Sequence, residues 1–364
     1  MRRKIGFDAR MIEHSGIGVR IQHILKLWPI SKNTYELFVF GDEMILSKYE
    51  LPKDSKIIHY TPKIYSIREW FGHPLMKDMD FLDIPHFNIP IRYLRKCIVT
   101  IHDLIPYHFK SAHSSLVKRV YLNIVLRLIS WFALKVVTVS EYTRMDFHVQ
   151  FGRKINTIDV IHNGIEPNNF SKSPSSKINA FKKKYHLPSE FLLFVGIGKP
   201  HKNFGFLAHN LTDLWLKGEL EIPLVIAGMS KEIPAEINEL IRRFPNQIQI
   251  LKHIPYNELP LLYQAAKLFI FPSLFEGFGF PVLEAQAVGT PVLSSNATVL
   301  PEILGQSALL FDPLDNEDFQ TKLLLLLRNP QERSRISKLG IQNTLRFDWN
   351  DQMSGIKLLY QKLY

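Results

Sequence analysis

Short apolar runs alternate with amphipathic stretches along this 364-residue chain, and the runs are rich in β-branched and aromatic residues. Such runs predict buried strands, and the stretches between several of them predict helices. In the first half, the predicted strands lie at 4–9, 35–41, 56–60, 81–87, 97–101, 135–140 and 157–162. In the second half they lie at 191–196, 223–228, 247–251, 267–272, 291–295 and 308–312. Two consecutive series predict an α/β fold with two doubly wound parallel sheets.

The segment 163–177 separates the two series, because Asn, Pro, Gly and Ser accumulate there and break periodic structure. The chain also exceeds the length at which one hydrophobic core keeps growing. We therefore predict an N-terminal domain over 1–170 and a C-terminal domain over 178–347, with a cleft between them.

The composition is that of a packed globular protein, with 46% hydrophobic and 22% charged residues. Its single cysteine, Cys97, cannot form an intrachain disulfide, which fits a reducing cytoplasmic compartment. The basic N-terminus leads directly into a predicted strand, without the apolar core of a secretory signal. We expect no export.

The formal charge of +11 is concentrated in the first half of the chain. Residues 1–170 hold 24 Lys and Arg against 16 Asp and Glu, a net of +8, whereas residues 171–364 hold 21 against 18, a net of +3. Such an excess attracts nucleic acid, anionic lipid or a phosphorylated substrate, and an ordinary soluble surface is the alternative. No nucleic-acid-binding motif accompanies it, so nucleic acid is not expected.

Doubly wound sheets bind ligands in the loops that lead from the carboxyl ends of strands into helices, and two loops of the first half fit that description. Gly16 and Gly18 open a predicted helix, where close backbone approach and helix N–H groups favour an anion, although a plain tight turn has the same pattern. His102 and Asp103 follow the strand at 97–101. They are candidates for substrate contact or, equally, for a structural hydrogen-bonded pair.

A third loop, "FVGIGKPHKNF", follows the first predicted strand of the second half. Lys199 and Lys202 supply permanent positive charge there, and His201 adds a titratable group. This chemistry suits a pyrophosphate, and an exposed basic turn is the alternative.

A fourth loop, "FEGFGFPVLE", places Glu276 after a buried strand and Glu284 in the first turn of a predicted helix that Gly289 ends. Carboxylates accept hydrogen bonds from sugar hydroxyls, and the backbone N–H groups between them can face a phosphate. Those N–H groups belong to Gly277, Phe278, Gly279, Phe280 and Val282. The pattern of hydroxyl, phosphate and hydroxyl recognition indicates a nucleotide-sugar. Taken singly, either glutamate is explained by the helix dipole or a solvated turn.

The eight-residue spacing of these glutamates resembles the signature of retaining GT-B glycosyltransferases of family 4. Further landmarks similar to that family occur in its order, among them "VTIHDLIP", "VIHNGIEPNNF", "YQAAKLFIFPS" and "AVGTPVLSSNATVLPEILGQSALLFDP". The likeness runs nearly end to end, and within the family the chain resembles bacterial mannosyltransferases of cell-envelope polysaccharide synthesis. It implies two Rossmann-like domains facing a cleft, with a last helix over 348–364 that crosses back to the N-terminal domain.

The resemblance also implies roles for individual residues. Glu284 would bind the ribose hydroxyls, Glu276 the transferred sugar, and Lys202 the diphosphate. Backbone at Gly16, Gly18, Gly279 and Phe280 would help Lys202, His102 would approach the sugar, and Asp103 and Ser140 would lie on the acceptor side, with Ser140 capping a helix. Family members often carry arginine where this chain has Ile197 and His201, so the diphosphate would rely on Lys202 and Lys199.

The implied reaction moves a sugar, with mannose from GDP-mannose favoured, to a hydroxyl of a lipid-linked or polysaccharide acceptor, with retention and front-face attack. No cofactor is expected. The acidic triplet at 78–80 has a pattern used by other glycosyltransferases for Mn²⁺, but it precedes a strand instead of ending one, and the resembled family is generally metal-independent. A nucleotide-sugar epimerase, a glycan phosphorylase or a silent nucleotide-sugar-binding protein of the same fold are the alternatives.

A predicted helix over 115–135 carries Arg119, Asn123, Arg127 and Ser130 as one polar stripe on an otherwise apolar cylinder. The apolar blocks beside Arg127 are too short to span a bilayer. Part of this helix, with Lys118 and Arg119, is predicted to rest on anionic lipid, which makes the protein peripheral on the inner face of the cytoplasmic membrane. A core helix with one wet edge is the alternative.

Overall fold

A computed structural model describes residues 2–28, 34–109, 116–166, 170–196, 199–228 and 235–363. Its strands are β1 Arg3–Asp8, β2 Tyr35–Gly41, β3 Lys56–His59, β4 Phe81–Ile84, β5 Cys97–Ile101, β6 Lys135–Thr138, β7 Ile158–Val160, β8 Leu192–Val195, β9 Leu224–Ala227, β10 Ile248–Leu251, β11 Leu268–Phe271, β12 Val292–Ser295 and β13 Leu309–Phe311. Its helices are α1 Ser15–Lys26, α2 Glu43–Leu46, α3 Ile67–Phe71, α4 Ile105–His108, α5 Leu116–Phe132, α6 Glu141–Phe151, α7 Ser175–Lys184, α8 Phe204–Leu216, α9 Ala235–Arg243, α10 Leu259–Ala265, α11 Phe280–Ala287, α12 Leu300–Leu304, α13 Asn316–Arg328, α14 Pro330–Thr344 and α15 Trp349–Gln361.

The first compact unit comprises residues 1–164 and 347–364. Its strands form a parallel sheet in the order β3-β2-β1-β4-β5-β6-β7. Side chains alternate between the two faces, so that Cys97 and Val99 of β5 enter one core while Ile98 enters the other. Because both faces are covered, the strands read as continuous apolar runs.

Helix α15 belongs to this first unit although it is the last element of the chain. The ring of Tyr360 is fully buried and lies 4.9 Å from the ring of Phe81, between centroids. Its hydroxyl donates to Asp83 Oδ2 of β4 at 2.5 Å. The C-terminal residues therefore complete a core that the first residues of the chain begin.

The second compact unit comprises residues 165–346. Its parallel strands follow the order β10-β9-β8-β11-β12-β13. The chain moves outward in one direction from β8 and in the opposite direction from β11, so the order reverses between these neighbours. At such a reversal the loops that leave the two strands diverge and open a crevice at their carboxyl ends.

All thirteen predicted strands are present, with ends that differ by up to three residues. The prediction at 81–87 was too long because β4 ends at Ile84, where "PHFNIP" leaves the sheet. The fold class predicted from the alternation of apolar runs and helices is confirmed. No helix in the described ranges is both long enough and apolar enough to cross a bilayer.

Candidate functional site

The two loops at the strand reversal of the second unit meet through an ion pair. Lys202 ends a 3₁₀ turn after β8, and its Nζ lies 2.7 Å from Oε1 of Glu276 in the loop after β11. The two side chains are only 9% and 11% exposed. The backbone joins the same loops, because the Leu274 N–H donates to the His201 carbonyl at 2.7 Å. The structure thus brings together two residues that are 74 positions apart in the sequence.

The Lys202 side chain is held on several sides. Its Nζ lies 4.4 Å from the centroid of the Phe271 ring, a distance that permits a cation–π interaction. Gly196 passes beside it with a φ of +105°, and a Cβ at Gly196 would lie 3.2 Å from Lys202 Cε. Glycine is required here by both the backbone angle and the close approach. Since a buried ion pair repays its desolvation poorly, the pair by itself is weak evidence of stabilisation.

Glu284 lies in α11, the helix that follows the loop of Glu276, and its carboxyl interacts electrostatically with Lys202. Helix α11 begins at Phe280, so Glu284 is its fifth residue and lies in the second turn, not in the first turn as predicted. The helix-dipole explanation therefore weakens, because that effect is confined to the first turn. Burial raises the pKa of Glu284 to about 7, against the hydrogen bond from Tyr263 and the charge of Lys202, which lower it. The Tyr263 hydroxyl donates to Oε2 at 2.9 Å.

The turn between the two glutamates is tightly packed. Gly279 has a φ of +101° and precedes α11 directly. The buried Phe278 ring packs edge-on against Phe280, with 5.2 Å between centroids. The Val282 N–H donates to the Gly279 carbonyl at 3.2 Å, so this amide, one of those predicted to face a phosphate, is occupied within the turn. Gly277 is buried in the same turn.

The remaining residues of the basic loop differ in their surroundings. Lys199 is exposed, whereas His201 is buried. Burial lowers the pKa of His201 to about 4, so its ring is neutral near physiological pH. Positive charge in this loop therefore comes from the two lysines. Ile197, the other departure from the family pattern, lies outside the described residues.

In the first unit, the predicted glycines lie at the start of α1, which includes Gly16. A Cβ at Gly18 would lie 2.3 Å from the Ile12 carbonyl oxygen, so only glycine fits there. Sequence reasoning missed Arg20, one turn further along α1. It is fully buried and donates to Asn163 Oδ1 at 2.7 Å and to the Ile161 carbonyl at 3.2 Å. An arginine among the apolar positions of "GVRIQHIL" was the available signal.

His102 and Ser140 are linked at the carboxyl ends of β5 and β6. The His102 Nε2 lies 2.9 Å from the Pro85 carbonyl, which can only accept, so Nε2 carries the proton and Nδ1 is the acceptor form. Burial lowers the pKa of His102 to about 3. The Ser140 hydroxyl caps α6 by accepting from the Thr143 N–H at 3.1 Å, and Thr143 Oγ1 donates to the His102 carbonyl at 3.3 Å. Ser140 is fully buried and acts through this cap.

Asp103 accepts a hydrogen bond from the Ile105 N–H at 2.9 Å, which shapes the turn into α4. Near β1, sequence reasoning missed a buried charged cluster. Arg10 pairs with Asp8 at 2.7 Å and with Glu69 at 3.3 Å. Burial raises the pKa of Asp8, but Arg10 and His86 outweigh it and hold the pKa well below its ordinary value. This cluster fixes the loops at the carboxyl ends of β1 and β4.

The acidic triplet at 78–80 lies at the opposite, amino edge of the first sheet. The Lys4 N–H at the start of β1 donates to Asp80 Oδ2 at 2.7 Å. Among the residues that the structure describes, no three His, Cys, Asp or Glu side chains form a group that could hold a metal ion. Asp80 therefore has a local structural contact at this edge of the sheet.

Helix α5 differs from its predicted pattern. Ser130, placed on the polar stripe, is buried and donates to the Phe151 carbonyl at 2.8 Å. The water-facing side instead carries an apolar stripe, with Val117 76%, Val120 51%, Ile124 44% and Trp131 62% exposed. Lys118, Arg119 and Arg127 are exposed on the same helix. Arg95 lies over the ring of Phe132 at 5.9 Å from its centroid.

Two family models match the chain. A model described as glycosyl transferases group 1 covers residues 176–343, which include both glutamates and the basic loop. A model described as glycosyltransferase family 4 covers residues 60–169.

Relatives similar in sequence are named as mannosyltransferases, and a solved glycosyltransferase-like structure shares the fold. The O-antigen chain mannosyltransferase B of Escherichia coli is 28% identical over 282 residues, 73% of this chain and 70% of the relative. The serotype-specific mannosyltransferase WbdA of Escherichia coli is 27% identical over 312 residues, 82% of this chain but only 36% of that longer relative. The crystal structure of HepE from Anabaena in complex with UDP and glucose has a TM-score of 0.78 at 19% identity, over 99% of this chain and 100% of the other. At that identity the structural likeness shows the shared fold.

Proposed function

Because this chain belongs to the group 1 glycosyltransferases of family 4, we propose that it transfers mannose from GDP-mannose to a lipid-linked or polysaccharide acceptor. It is a glycosyltransferase with a nucleotide-sugar donor and a glycan acceptor. The sugar, the base, retention at the anomeric carbon and independence of metal are the proposed refinements.

The buried Lys202–Glu276 pair beside Glu284 carries the proposal. A diphosphate needs a positive charge, and the sugars at its two ends offer hydroxyl donors to carboxylates. An entering diphosphate competes with Glu276 for the Lys202 ammonium. Glu276 is then released to accept hydroxyls of the transferred sugar, while Glu284 holds the ribose.

In the proposed reaction, the bond from the sugar C1 to the leaving phosphate oxygen breaks. A bond from C1 to the acceptor oxygen forms on the same face, and the leaving phosphate oxygen takes the acceptor's hydroxyl proton. Lys202 and the N-terminal amides of α11 stabilise the charge that grows on the diphosphate. Exclusion of water protects the donor from hydrolysis.

The relatives named as mannosyltransferases support mannose, whereas the UDP in the HepE complexes makes UDP-sugars the sharpest rivals. A thermal-shift panel of GDP-mannose, UDP-glucose, UDP-galactose and free GDP and UDP separates them. At a hundredfold excess over Kd, the true donor stabilises the fold by about 2.7 kcal/mol. Strong stabilisation by UDP-glucose with none by GDP-mannose overturns the proposed donor.

Turnover is tested by release of GDP from GDP-mannose with a panel of octyl glycosides as acceptors. GDP release that requires acceptor, with an α-linked product, supports a retaining transferase. Release of an isomerised nucleotide-sugar indicates an epimerase. Activity that depends on inorganic phosphate indicates a phosphorylase, and donor binding without release of any product indicates a silent binding protein. Activity abolished by EDTA and restored by Mn²⁺ overturns metal independence.

The acceptor proposal extends to a membrane surface. The exposed stripe of Val117, Val120, Ile124 and Trp131 faces away from the buried side of α5, and basic side chains flank it. An apolar face beside positive charge suits the boundary of an anionic bilayer. The net charge of +8 in residues 1–170 also favours an anionic bilayer as the surface that contacts this stripe. A lipid-linked acceptor is then presented from the bilayer on which the protein rests.

Flotation with liposomes of phosphatidylglycerol tests this surface. Wild-type protein is expected to float at low salt, less so as salt rises, and not with neutral phosphatidylcholine. Trp131→Glu and the pair Lys118→Glu and Arg119→Glu should each reduce flotation. Leu345→Glu is the matched control, because Leu345 is 77% exposed but lies outside α5. Wild-type protein that stays unbound at low salt overturns the membrane proposal and favours a soluble acceptor.

A further inference from the structure

The loop between β12 and α12 contains a backbone conformation that its residue rarely adopts. Thr298 has a φ of +52°. Among the described residues, the other non-glycine positions with positive φ are Tyr65, His186 and Asn203, none of them β-branched. A β-branched residue in this region is a genuine outlier, because its side chain crowds the backbone there. Such strain persists where surrounding contacts require it.

The contacts of Thr298 explain why it is held there. Its Oγ1 accepts a hydrogen bond from the Glu276 N–H at 3.1 Å. The same hydroxyl donates to the Glu276 carbonyl, with 3.4 Å between the oxygens. One hydroxyl therefore contacts the peptide groups on both sides of Glu276, 22 residues away in sequence.

Other close approaches between the same two loops lie on either side of this contact. Ser295 Oγ, at the end of β12, donates to the Ser273 carbonyl at 2.5 Å, which joins the same two loops closer to the sheet. Further along, a Cβ at Gly279 would lie 3.4 Å from Leu300. Thr298 lies between these two contacts in sequence and reaches the glutamate itself.

We propose that Thr298 is a positioning residue, which fixes the backbone of Glu276 so that its carboxylate reaches Lys202 before the donor binds and the transferred sugar afterwards. The inference rests on the proposed function, because Glu276 is assigned there to the sugar. Glu284 is oriented differently, because its carboxylate accepts a hydrogen bond from the Tyr263 hydroxyl. The hydrogen bonds of Thr298 hold only the main chain of Glu276, so they do not occupy the carboxylate oxygens that bind Lys202 or the ligand.

Thr298→Val tests this role, because it keeps the β-branched shape and removes the hydroxyl. With GDP-mannose and an octyl glycoside, we expect kcat to fall about 10- to 100-fold, as small misplacements of a reacting group do, with the donor KM close to wild type. Thr298→Ser keeps the hydroxyl and should restore most of kcat. Thr344→Val is the matched control, because this threonine also lies in the second unit and its hydroxyl donates to the Ile341 carbonyl of its own helix, α14, at 2.7 Å.

A second measurement does not depend on turnover. Hydrogen exchange of the Glu276 amide, followed by NMR, should accelerate in Thr298→Val and stay near wild type in Thr298→Ser and Thr344→Val. If wild type turns over and Thr298→Val matches its kcat, the inference is overturned while the proposed function stands. If wild type turns over no donor in the panel, the proposed function fails, and unchanged amide exchange in Thr298→Val then overturns the positioning of Glu276 independently.

Discussion

The two glutamates of the second unit have different partners, and their substitutions should differ in kinetics. Glu276→Gln keeps an acceptor for Lys202 but removes the negative charge, so we expect kcat to fall by about 100-fold. Glu284→Gln weakens a hydrogen bond to ribose worth about 1.5–3 kcal/mol, so the donor KM should rise about 10- to 100-fold with kcat largely retained. Steady-state kinetics with varied donor separates the two effects. Unchanged kcat and KM in both variants would contradict the site.

The buried carboxyl of Glu284 also predicts how stability depends on pH. Its pKa is raised from 4.5 to about 7, so the folded state binds the proton more tightly than the unfolded chain. The stability contributed by this group is complete below pH 4.5 and is lost as pH rises through 7. Glu284→Gln lacks this loss. Its Tm relative to wild type should therefore increase between pH 5 and pH 8, and a Tm difference independent of pH would contradict the assignment.

At the scale of single elements, the start of α1 depends on a glycine for space. An alanine Cβ at position 18 would lie 2.3 Å from the Ile12 carbonyl oxygen, a backbone atom that cannot move alone. Gly18→Ala should therefore lower Tm and displace the loop before α1. The matched control is Gly205→Ala, at the second residue of α8, where nothing beyond the adjacent residues and the helix's own backbone lies within 4 Å of the added Cβ. It should leave Tm unchanged or slightly higher, because alanine is favoured over glycine in a helix. Equal Tm values for the two variants would refute the steric argument.

The elements themselves could be predicted from sequence because burial on both faces leaves a simple signal. A run such as "CIVTI" consists of apolar and β-branched residues, and its length excludes most helices. The loop of Glu276 and Glu284 was likewise visible, since a glycine-rich turn between carboxylates has few structural explanations. The register of α11 was not visible. Proline fits either of the first helical positions, so the start at Phe280 could not be distinguished from a start at Pro281.

The parts that sequence could not give depend on contacts between distant segments. Thr298 has no local pattern that reveals its contact with Glu276, and the Arg10 cluster joins loops from separate strands. On α5, the exposed apolar stripe could not be separated from a buried one, because the helix carries apolar residues on both sides. Ser130 illustrates the ambiguity, since its hydroxyl is satisfied by the Phe151 carbonyl inside the unit.

At the scale of the whole molecule, each compact unit has its own strand reversal, between β1 and β4 in one and between β8 and β11 in the other. Lys202, Glu276 and Glu284 all belong to the second unit. These three residues, to which the proposed function assigns the donor, therefore come from one continuous segment. The first unit is discontinuous, because it needs residues from both ends of the chain.

This discontinuity predicts an asymmetric response to truncation. A chain ended after Arg346 lacks α15 and with it Tyr360, whose burial and bond to Asp83 complete the first core. Truncating one such buried aromatic ring alone costs about 3–5 kcal/mol. We expect limited proteolysis to degrade residues 1–164 and leave a fragment near 165–346 that a nucleotide-sugar still protects.

Single substitutions on α15 test whether Tyr360 is the residue whose removal makes the first unit sensitive to protease. Tyr360→Ala should sensitise the first unit to protease, whereas Leu358→Ala, two residues away and 52% exposed, should not. Tyr360→Phe keeps the ring but removes the hydroxyl that lowers the pKa of the buried Asp83, which burial raises to about 6. The variant should therefore lose more stability relative to wild type as pH rises above 6, because ionised Asp83 accepts the Tyr360 hydrogen bond in wild type and lacks this donor in the variant. A truncated chain that keeps residues 1–164 as resistant as wild type would show that the first unit folds without its last helix.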